Sequence, residues 1–406
     1  MRFIKSALAT LIFKVIAMAA GLAVSIVIAR VLGPEGRGVY ALVMTIIVMS
    51  ASFGVFGLPS ANTFFAAKNA LMARTIGTQS IITGLAGAAL SIVVIFLLNK
   101  FNPAIFRGLN EATWALTFAI IPLFLWGNLF AFAYLGRGKI LAFNTFETGQ
   151  RVIFFVLSVF ILWYLNRPIE TYLAVVLTAV GIMTAVYIIN YFRDVSPGSI
   201  YESSYTATSL GYGIKSYVAT LLTLAVLRSG VLFTNYFGGN EAAGLFSVAQ
   251  QMSELVIIIP TVVGAILFGR VSKGDSYYLT PMVLRTTTAV FLPVTMVMFL
   301  ASDWLILSVF GTEFSGSITA LKIMLPGAFL LGLEVIIAQD IAGRGYPWPA
   351  VLAWVPVLIM NVVGYVVLIP GSGVNGAAIS VSVSYLVIFG LITTYYVKLS
   401  GTGLLQ

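Results

Sequence analysis

The sequence predicts an all-α polytopic membrane protein: twelve transmembrane helices in two six-helix lobes, a parallel internal repeat, around a central cavity. Three observations carry that expectation. Hydrophobic residues make up 60% of the 406-residue chain and charged residues only 9%, where a soluble domain carries about 25% charged. The apolar residues fall in long runs joined by short polar or glycine-rich segments. Short motifs recur at an offset close to half the chain length.

A bilayer core needs about 20 consecutive apolar residues per helix. Twelve such runs are present, at 6–29, 40–61, 76–98, 112–135, 146–165, 170–191, 211–235, 242–268, 280–300, 317–342, 348–369 and 374–397. Residues 1–24 imitate a signal peptide, with Arg2 and Lys5 ahead of an apolar stretch. The run continues to Ala29, so it is read as the first span. Segments 99–110 and 301–314 are too short to cross and are expected at the outer interface. The longest connection, 192–210, is rich in Ser, Tyr and Thr. The expected organisation is therefore an N-terminal lobe at 1–195, a cytoplasmic linker at 196–210 and a C-terminal lobe at 211–406. With the N-terminus inside, inner segments carry eleven Lys and Arg and outer loops five. Among the outer ones are Arg30 and Arg37. Both termini are thus expected to be cytoplasmic.

The repeat is visible in residues 33–42, which read GPEGRGVYAL, and 239–248, which read GNEAAGLFSV. Gly33, Glu35, Gly38 and Tyr40 fall on Gly239, Glu241, Gly244 and Phe246. Gly136-Arg137-Gly138 recurs as Gly343-Arg344-Gly345, and Pro122 and Gly127 correspond to Pro326 and Gly332. Six spans per half is an even number, so both halves keep one orientation, as in transporters built from parallel repeats. The Gly33-Pro34 segment is expected to make a tight turn between spans 1 and 2.

Much chemistry is excluded. The chain has no His and no Cys, which removes Ser-His triads, thiol nucleophiles and most zinc sites. No phosphate-binding Gly-x4-Gly-Lys-Ser/Thr loop occurs. No enzyme activity, cofactor or metal is expected. The net charge of +9 is assigned to cytoplasmic loops and a polar interior rather than to nucleic acid.

Charges inside a bilayer cost roughly 2.5–3.5 kcal/mol each, so their positions carry meaning. Lys14, Arg228, Glu254, Lys322, Glu334 and Asp340 lie within apolar runs. In span 1, Thr10, Lys14, Gly21 and Ser25 share a helical face. In span 7, Tyr217, Arg228 and Asn235 do so. In span 8, Ser247, Gln250, Gln251, Glu254 and Thr261 form a polar stripe. Lipid cannot satisfy such groups, so spans 1, 7 and 8 are expected to line a hydrated, electropositive cavity. The candidate substrate-binding cations are Lys14, Arg228, Lys322, Lys215 and Arg151. Arg151, Lys215 and Arg285 lie near span ends, where snorkelling to the interface is the alternative, as it also is for Lys322. Glu254 reads as a structural partner of Arg228, an ion or proton site, or a contact for sugar hydroxyls. Glu334 is a further candidate acid, and Asp340 is placed to pair with Arg344. A cationic cavity calls for an anionic ligand, which a guanidinium fork suits.

The segment from Ile28 to Leu42, with Ala29-Arg30-Val31-Leu32-Gly33-Pro34-Glu35 and then Gly38-Val39-Tyr40-Ala41, resembles the first-loop signature of polysaccharide-type flippases. These belong to the multidrug/oligosaccharidyl-lipid/polysaccharide exporter superfamily. The resemblance extends to Gly57-Leu58-Pro59, Gly239–Ser247, Phe310–Phe314 and Gly343–Gly345. Asn240 departs from it by standing where the first half has Pro34. The resemblance implies two six-helix lobes forming a V. It also implies transfer of undecaprenyl-pyrophosphate-linked oligosaccharide from the inner to the outer leaflet of a bacterial or archaeal plasma membrane, by alternating access. Lys14, Arg228 and Lys322 match its cationic cavity residues by location. The expected partners are that lipid-linked oligosaccharide, the bilayer and a polysaccharide polymerase or chain-length regulator, with the chain itself a monomer. An ion-coupled multidrug exporter, and a non-transporting scaffold for polysaccharide-synthesis enzymes, are the competing readings.

Overall fold

The computed structural model describes residues 2–164, 168–195, 203–272, 274, 279–345 and 347–401. Arg167, Lys273, Asp275 and the first part of the expected linker lie outside the described residues. The chain is a multi-pass helical membrane protein. Its elements are α1 (Arg2–Gly54), α2 (Leu58–Lys68), α3 (Ala73–Phe101), α4 (Glu111–Gly136), α5 (Ile140–Tyr164) and α6 (Ile169–Arg193), then α7 (Ser203–Val256), α8 (Ile258–Val271), α9 (Leu279–Leu300), α10 (Ser302–Leu305), α11 (Gly316–Gly343), α12 (Trp348–Leu352) and α13 (Trp354–Ser400). Among the described residues eight helical stretches are long and apolar enough to cross a bilayer. Three of these, in α1, α7 and α13, each join two spans end to end. With α5, the twelve expected spans are all present.

The joints are single residues. In α1 the helix breaks at Gly33, with φ 64° and ψ −172°. In α7 it breaks at Gly239, with φ 76° and ψ −173°. The two backbones match because the two sequences repeat. Pro34 suits the first position of the helix that follows Gly33, since the missing N–H would have no helical partner there. Asn240 at the equivalent place makes the same joint, so the glycine sets the bend and the proline only reinforces it. A third joint, at Gly373 with φ 52°, connects spans 11 and 12.

Two spans differ from the sequence expectation. The run 40–61 is not one helix: α1 ends at Gly54, Phe56 and Gly57 adopt positive φ, and α2 restarts with Pro59 in its first turn. The run 242–268 is likewise interrupted at Ile257, between α7 and α8. Hydropathy cannot register either break, because the residues around each remain apolar. The expected linker also differs, since helix α7 already begins at Ser203. The short segments before α4 and α11 form only 3-10 and π turns and a four-residue helix.

The chain divides into two compact units, Met1–Leu221 and Leu222–Gln406. In the first, an aromatic core of Phe130, Tyr134, Phe146, Tyr187, Tyr191 and Tyr205 closes the end where α4 and α6 finish. Its rings meet edge to face: Phe130 and Tyr191 lie 5.0 Å apart at 80°, Tyr134 and Tyr187 5.3 Å apart at 80°. That geometry suits ring quadrupoles. The hydroxyls of Tyr191 and Tyr134 donate to the Ala73 and Tyr187 carbonyls. The start of α7 belongs to this unit: Tyr205 joins the core, and Tyr217 donates to the Phe53 carbonyl at 2.7 Å. At the same end Lys139 donates to Asp194, and Arg137 approaches the same carboxylate at 3.1 Å. In the second unit a polar thread crosses an apolar core. Ser229 bonds Asn361 at 3.2 Å, and Asn361 donates to Ser384 at 2.9 Å. Large apolar side chains such as Phe96, Val290, Val297 and Val367 face outward, as a hydrocarbon surround allows.

Two outcomes follow from this frame. Gly239→Ala adds a Cβ into open space, so only backbone strain is introduced, worth about 1–3 kcal/mol for a region that side-chain-bearing residues avoid. Its unfolding temperature in detergent is expected to fall, and an unchanged value would mean the joint tolerates another conformation. The Asp194 carboxyl is held below its ordinary 3.8 by the Lys139 hydrogen bond first and by Arg137. A depressed carboxyl stabilises the fold at neutral pH and loses that contribution as pH falls through the folded value. The difference in unfolding temperature between parent and Asp194→Asn should therefore close on acidification below pH 3.8. A difference that persists there would rule out the carboxylate charge as its source.

Candidate functional sites within the two units

In the first unit α5 lies along α1. Asn144 donates to Thr10 at 2.8 Å, Thr148 to the Phe13 carbonyl at 3.0 Å, and Arg151 to the Ala17 carbonyl at 3.4 Å. Positions 144, 148 and 151 recur at helical spacing on one side of α5. Their partners ascend α1 in the same order, so the two helices run parallel. Small residues make room: a Cβ on Gly21 would sit 3.1 Å from an Arg151 guanidinium nitrogen. Arg151 also pairs with Glu147 at 2.8 Å and keeps 41% of its side chain exposed. Lys14 is exposed on α1. It lies on the edge of the same stripe, between Thr10 and Ala17 in sequence.

Arg37 belongs to this assembly, although the sequence predicts it in an outer loop. The structure buries it to 5% exposure, with its guanidinium carbon 5.4 Å from the Tyr40 ring. Tyr40 in turn stacks on Phe154 of α5, with centroids 6.2 Å apart and planes at 27°. The correction follows from the joint at Gly33. Because the turn is one residue long, Arg37 already lies inside the second helix rather than in a solvated loop. The only signal in the sequence was the Arg37–Tyr40 spacing of one helical turn. The equivalent position in the other half is Ala243, so this cation is not part of the repeat.

In the second unit Arg228 and Glu254 meet as a two-point pair, at 3.2 and 3.4 Å. Gln250, one turn before Glu254, donates to it at 2.9 Å and to the Leu227 carbonyl. The amide thus ties Glu254 to the backbone beside Arg228. Both members of the pair remain about one-third exposed, so the charges are neither fully solvated nor sealed. Glu254 lies in the last turn before the break at Ile257, whose N–H bonds the Glu254 carbonyl at 3.2 Å.

The other expected residues lie elsewhere. Lys322 pairs with Asp303 of α10, and that hydrogen bond holds the Asp303 carboxyl below its ordinary value. Lys215 is exposed on α7. Asp340 pairs with Arg344 at 3.0 Å, as its spacing predicted. Glu334 is 3% exposed on α11, with no hydrogen bond or ion pair among the described residues.

The polysaccharide biosynthesis protein family matches residues 3–274, two-thirds of the chain. This chain belongs to that family. The match spans α1 to α8 and so includes the joints at Gly33 and Gly239 and both arginine–glutamate pairs. No curated protein sequence matches the chain. Among solved structures it is similar to a lipid II flippase, MurJ, in an inward closed conformation, with a TM-score of 0.75 at 14% identity. That alignment covers 96% of this chain and 89% of the flippase. It is also similar to an inward-facing multidrug resistance MATE family transporter of the MOP superfamily, with a TM-score of 0.72 at 18% identity over 98% and 99% of the two chains. An outward-facing MATE transporter of that superfamily gives 0.62 at 15% identity, over 98% of this chain and 95% of that one. At these identities the likeness establishes the fold, which is the one expected from the sequence.

Removing one member of a partly buried ion pair leaves the other uncompensated. Arg228→Ala should therefore destabilise the protein by roughly 1–2 kcal/mol, discounted for the exposure of the pair. Adding Glu254→Gln should recover part of the loss. Unfolding of the two single variants and the double variant in detergent measures this, and strict additivity would show that the pair is uncoupled.

Proposed function

We propose that the chain is a flippase that moves undecaprenyl-pyrophosphate-linked oligosaccharide from the inner to the outer leaflet by alternating access. The observation that carries the reading is the state of its intramembrane arginines. Arg151 and Arg228 are each partly exposed inside a spanning helix, and each is paired with a single glutamate. Such a pair is an anion site with an internal occupant. A pyrophosphate offers more charge than a carboxylate and suits the guanidinium fork equally well. It can take the place of Glu147 or Glu254 without leaving a cation bare. Lys14 adds a point charge at the edge of the α1–α5 seam. Family membership in polysaccharide biosynthesis selects a glycan-bearing anion over other phosphates. On this reading Lys322 and Lys215 act at the membrane interfaces, and Glu334 is available for ion coupling. The chain works without enzymatic turnover, beside a polymerase or chain-length regulator, in a bacterial or archaeal plasma membrane with both termini in the cytoplasm.

A second reading, an ion-coupled multidrug exporter, draws on the likeness to MATE transporters. It calls for a predominantly acidic binding region, whereas Lys14, Arg37, Arg151 and Arg228 outnumber Glu147 and Glu254.

The test is complementation of a host lacking its own flippase. Arg228→Ala and Arg151→Ala, expressed at the parent level, should trap glycolipid in the inner leaflet and reduce surface glycan by about tenfold or more, the loss of one charge-assisted contact to phosphate. Full export by both variants would exclude the cationic mechanism. Drug resistance with unchanged surface glycan would favour the exporter.

A further inference from the structure

The first unit holds a cavity that neither the arginine–glutamate pairs nor the repeat accounts for. It measures about 620 Å³ and lies where α2, α4 and the start of α7 meet, at the end of the unit that carries Arg74, Arg137 and Lys139. Ser60, Thr63, Phe64, Lys68, Phe132 and Tyr212 line it. Its size falls in the range of small-molecule sites, about 300–1,000 Å³.

Its lining has three parts. One wall is an aromatic platform: Phe64 and Tyr212 stack with centroids 4.4 Å apart and planes at 21°, and Phe65 closes on Tyr212 from the side at 5.9 Å. The two stacked rings cover one face of each other, while Phe64 stays 38% and Tyr212 49% exposed, so Tyr212 offers the more open surface. The rim carries Lys68 in the last turn of α2, with its ammonium 5.9 Å from the Phe64 ring. Lys68 forms no ion pair among the described residues. The floor is polar but already satisfied. Thr63 donates to the Pro59 and Phe132 carbonyls, and Ser60 bonds Ser216 at 2.9 Å.

The juxtaposition names a ligand class. A flat, half-exposed aromatic surface binds the C–H face of a sugar ring, and a phenol beside it supplies a donor and acceptor for ring hydroxyls. A lone ammonium at the rim selects an anion as a point charge. Simple hydrocarbon would leave Lys68 without a counterpart, and a bare inorganic anion would leave the aromatic platform unused. We infer that this cavity docks the saccharide–phosphate portion of a glycolipid, with a sugar ring against the exposed side of Tyr212 and phosphate at Lys68, as a loading site separate from Arg228. The inference rests on the flippase reading above and adds to it where the headgroup is first received.

The experiment uses the full chain in nanodiscs and two probes: a short-chain prenyl pyrophosphate, and the same molecule carrying one N-acetylhexosamine. Tyr212→Ala should weaken the sugar-bearing probe by roughly tenfold, the loss of one aromatic contact, and leave the bare pyrophosphate unchanged. Lys68→Gln should weaken both probes. Tyr212→Phe and Lys68→Arg should bind nearly as the parent does, which separates ring and charge from folding. If the parent binds both probes and all four variants bind alike, the loading site is wrong while the flippase reading stands. If the parent binds neither probe, both are wrong. Equal losses for both probes in Tyr212→Ala would mark the platform as structural and overturn the sugar assignment.

Discussion

Hydrocarbon offers no hydrogen bonds, and that constraint governs this molecule. Each backbone N–H and C=O within a span must find its partner inside the helix. A change of direction is therefore confined to very few residues. The chain solves this with single glycines at Gly33, Gly239 and Gly373, where a positive φ reverses the path while the helix resumes at once. The same constraint explains the polar detail of the core. The phenols of Tyr134, Tyr191 and Tyr217 reach backbone carbonyls, and Asn361 is satisfied by serines on both sides.

The charged residues inside the spans obey the same rule with ion pairs in place of amides. A guanidinium inside a membrane needs either water or a carboxylate. Arg151 has Glu147 on its own helix, one turn away. Arg228 has Glu254 on the other arm of α7, beyond the Gly239 joint, with Gln250 tying the acid to the backbone beside it. These pairs sit at different structural positions in the two units, and Arg37 has only an alanine as its counterpart. The repeat thus supplied a scaffold, and the charges were distributed over it unequally.

Helix breaks and charges also meet. Glu254 sits one turn before the interruption at Ile257. Discontinuous helices with ionisable groups beside the break recur in transporters, because local unwinding leaves backbone groups able to exchange partners. Gly57 and Pro59 interrupt the corresponding span of the first unit, and there the aromatic cavity opens beside the restarted α2.

From the sequence by itself came the twelve spans, the repeat, the Gly33 joint, the Asp340–Arg344 pair and the prospect of an Arg228–Glu254 contact. Each depends on local composition or on helical spacing, and these are written along one dimension. The interruptions at 55–57 and Ile257, the helical start at Ser203, and the burial of Arg37 against Tyr40 were decided by tertiary structure. Hydropathy counts apolar residues but cannot register a change of backbone direction within an apolar run. The pairing of Lys322 with Asp303, a residue nineteen positions earlier, was likewise decided by tertiary structure. No period or spacing brings those two side chains together; only the folded packing of α10 against α11 does.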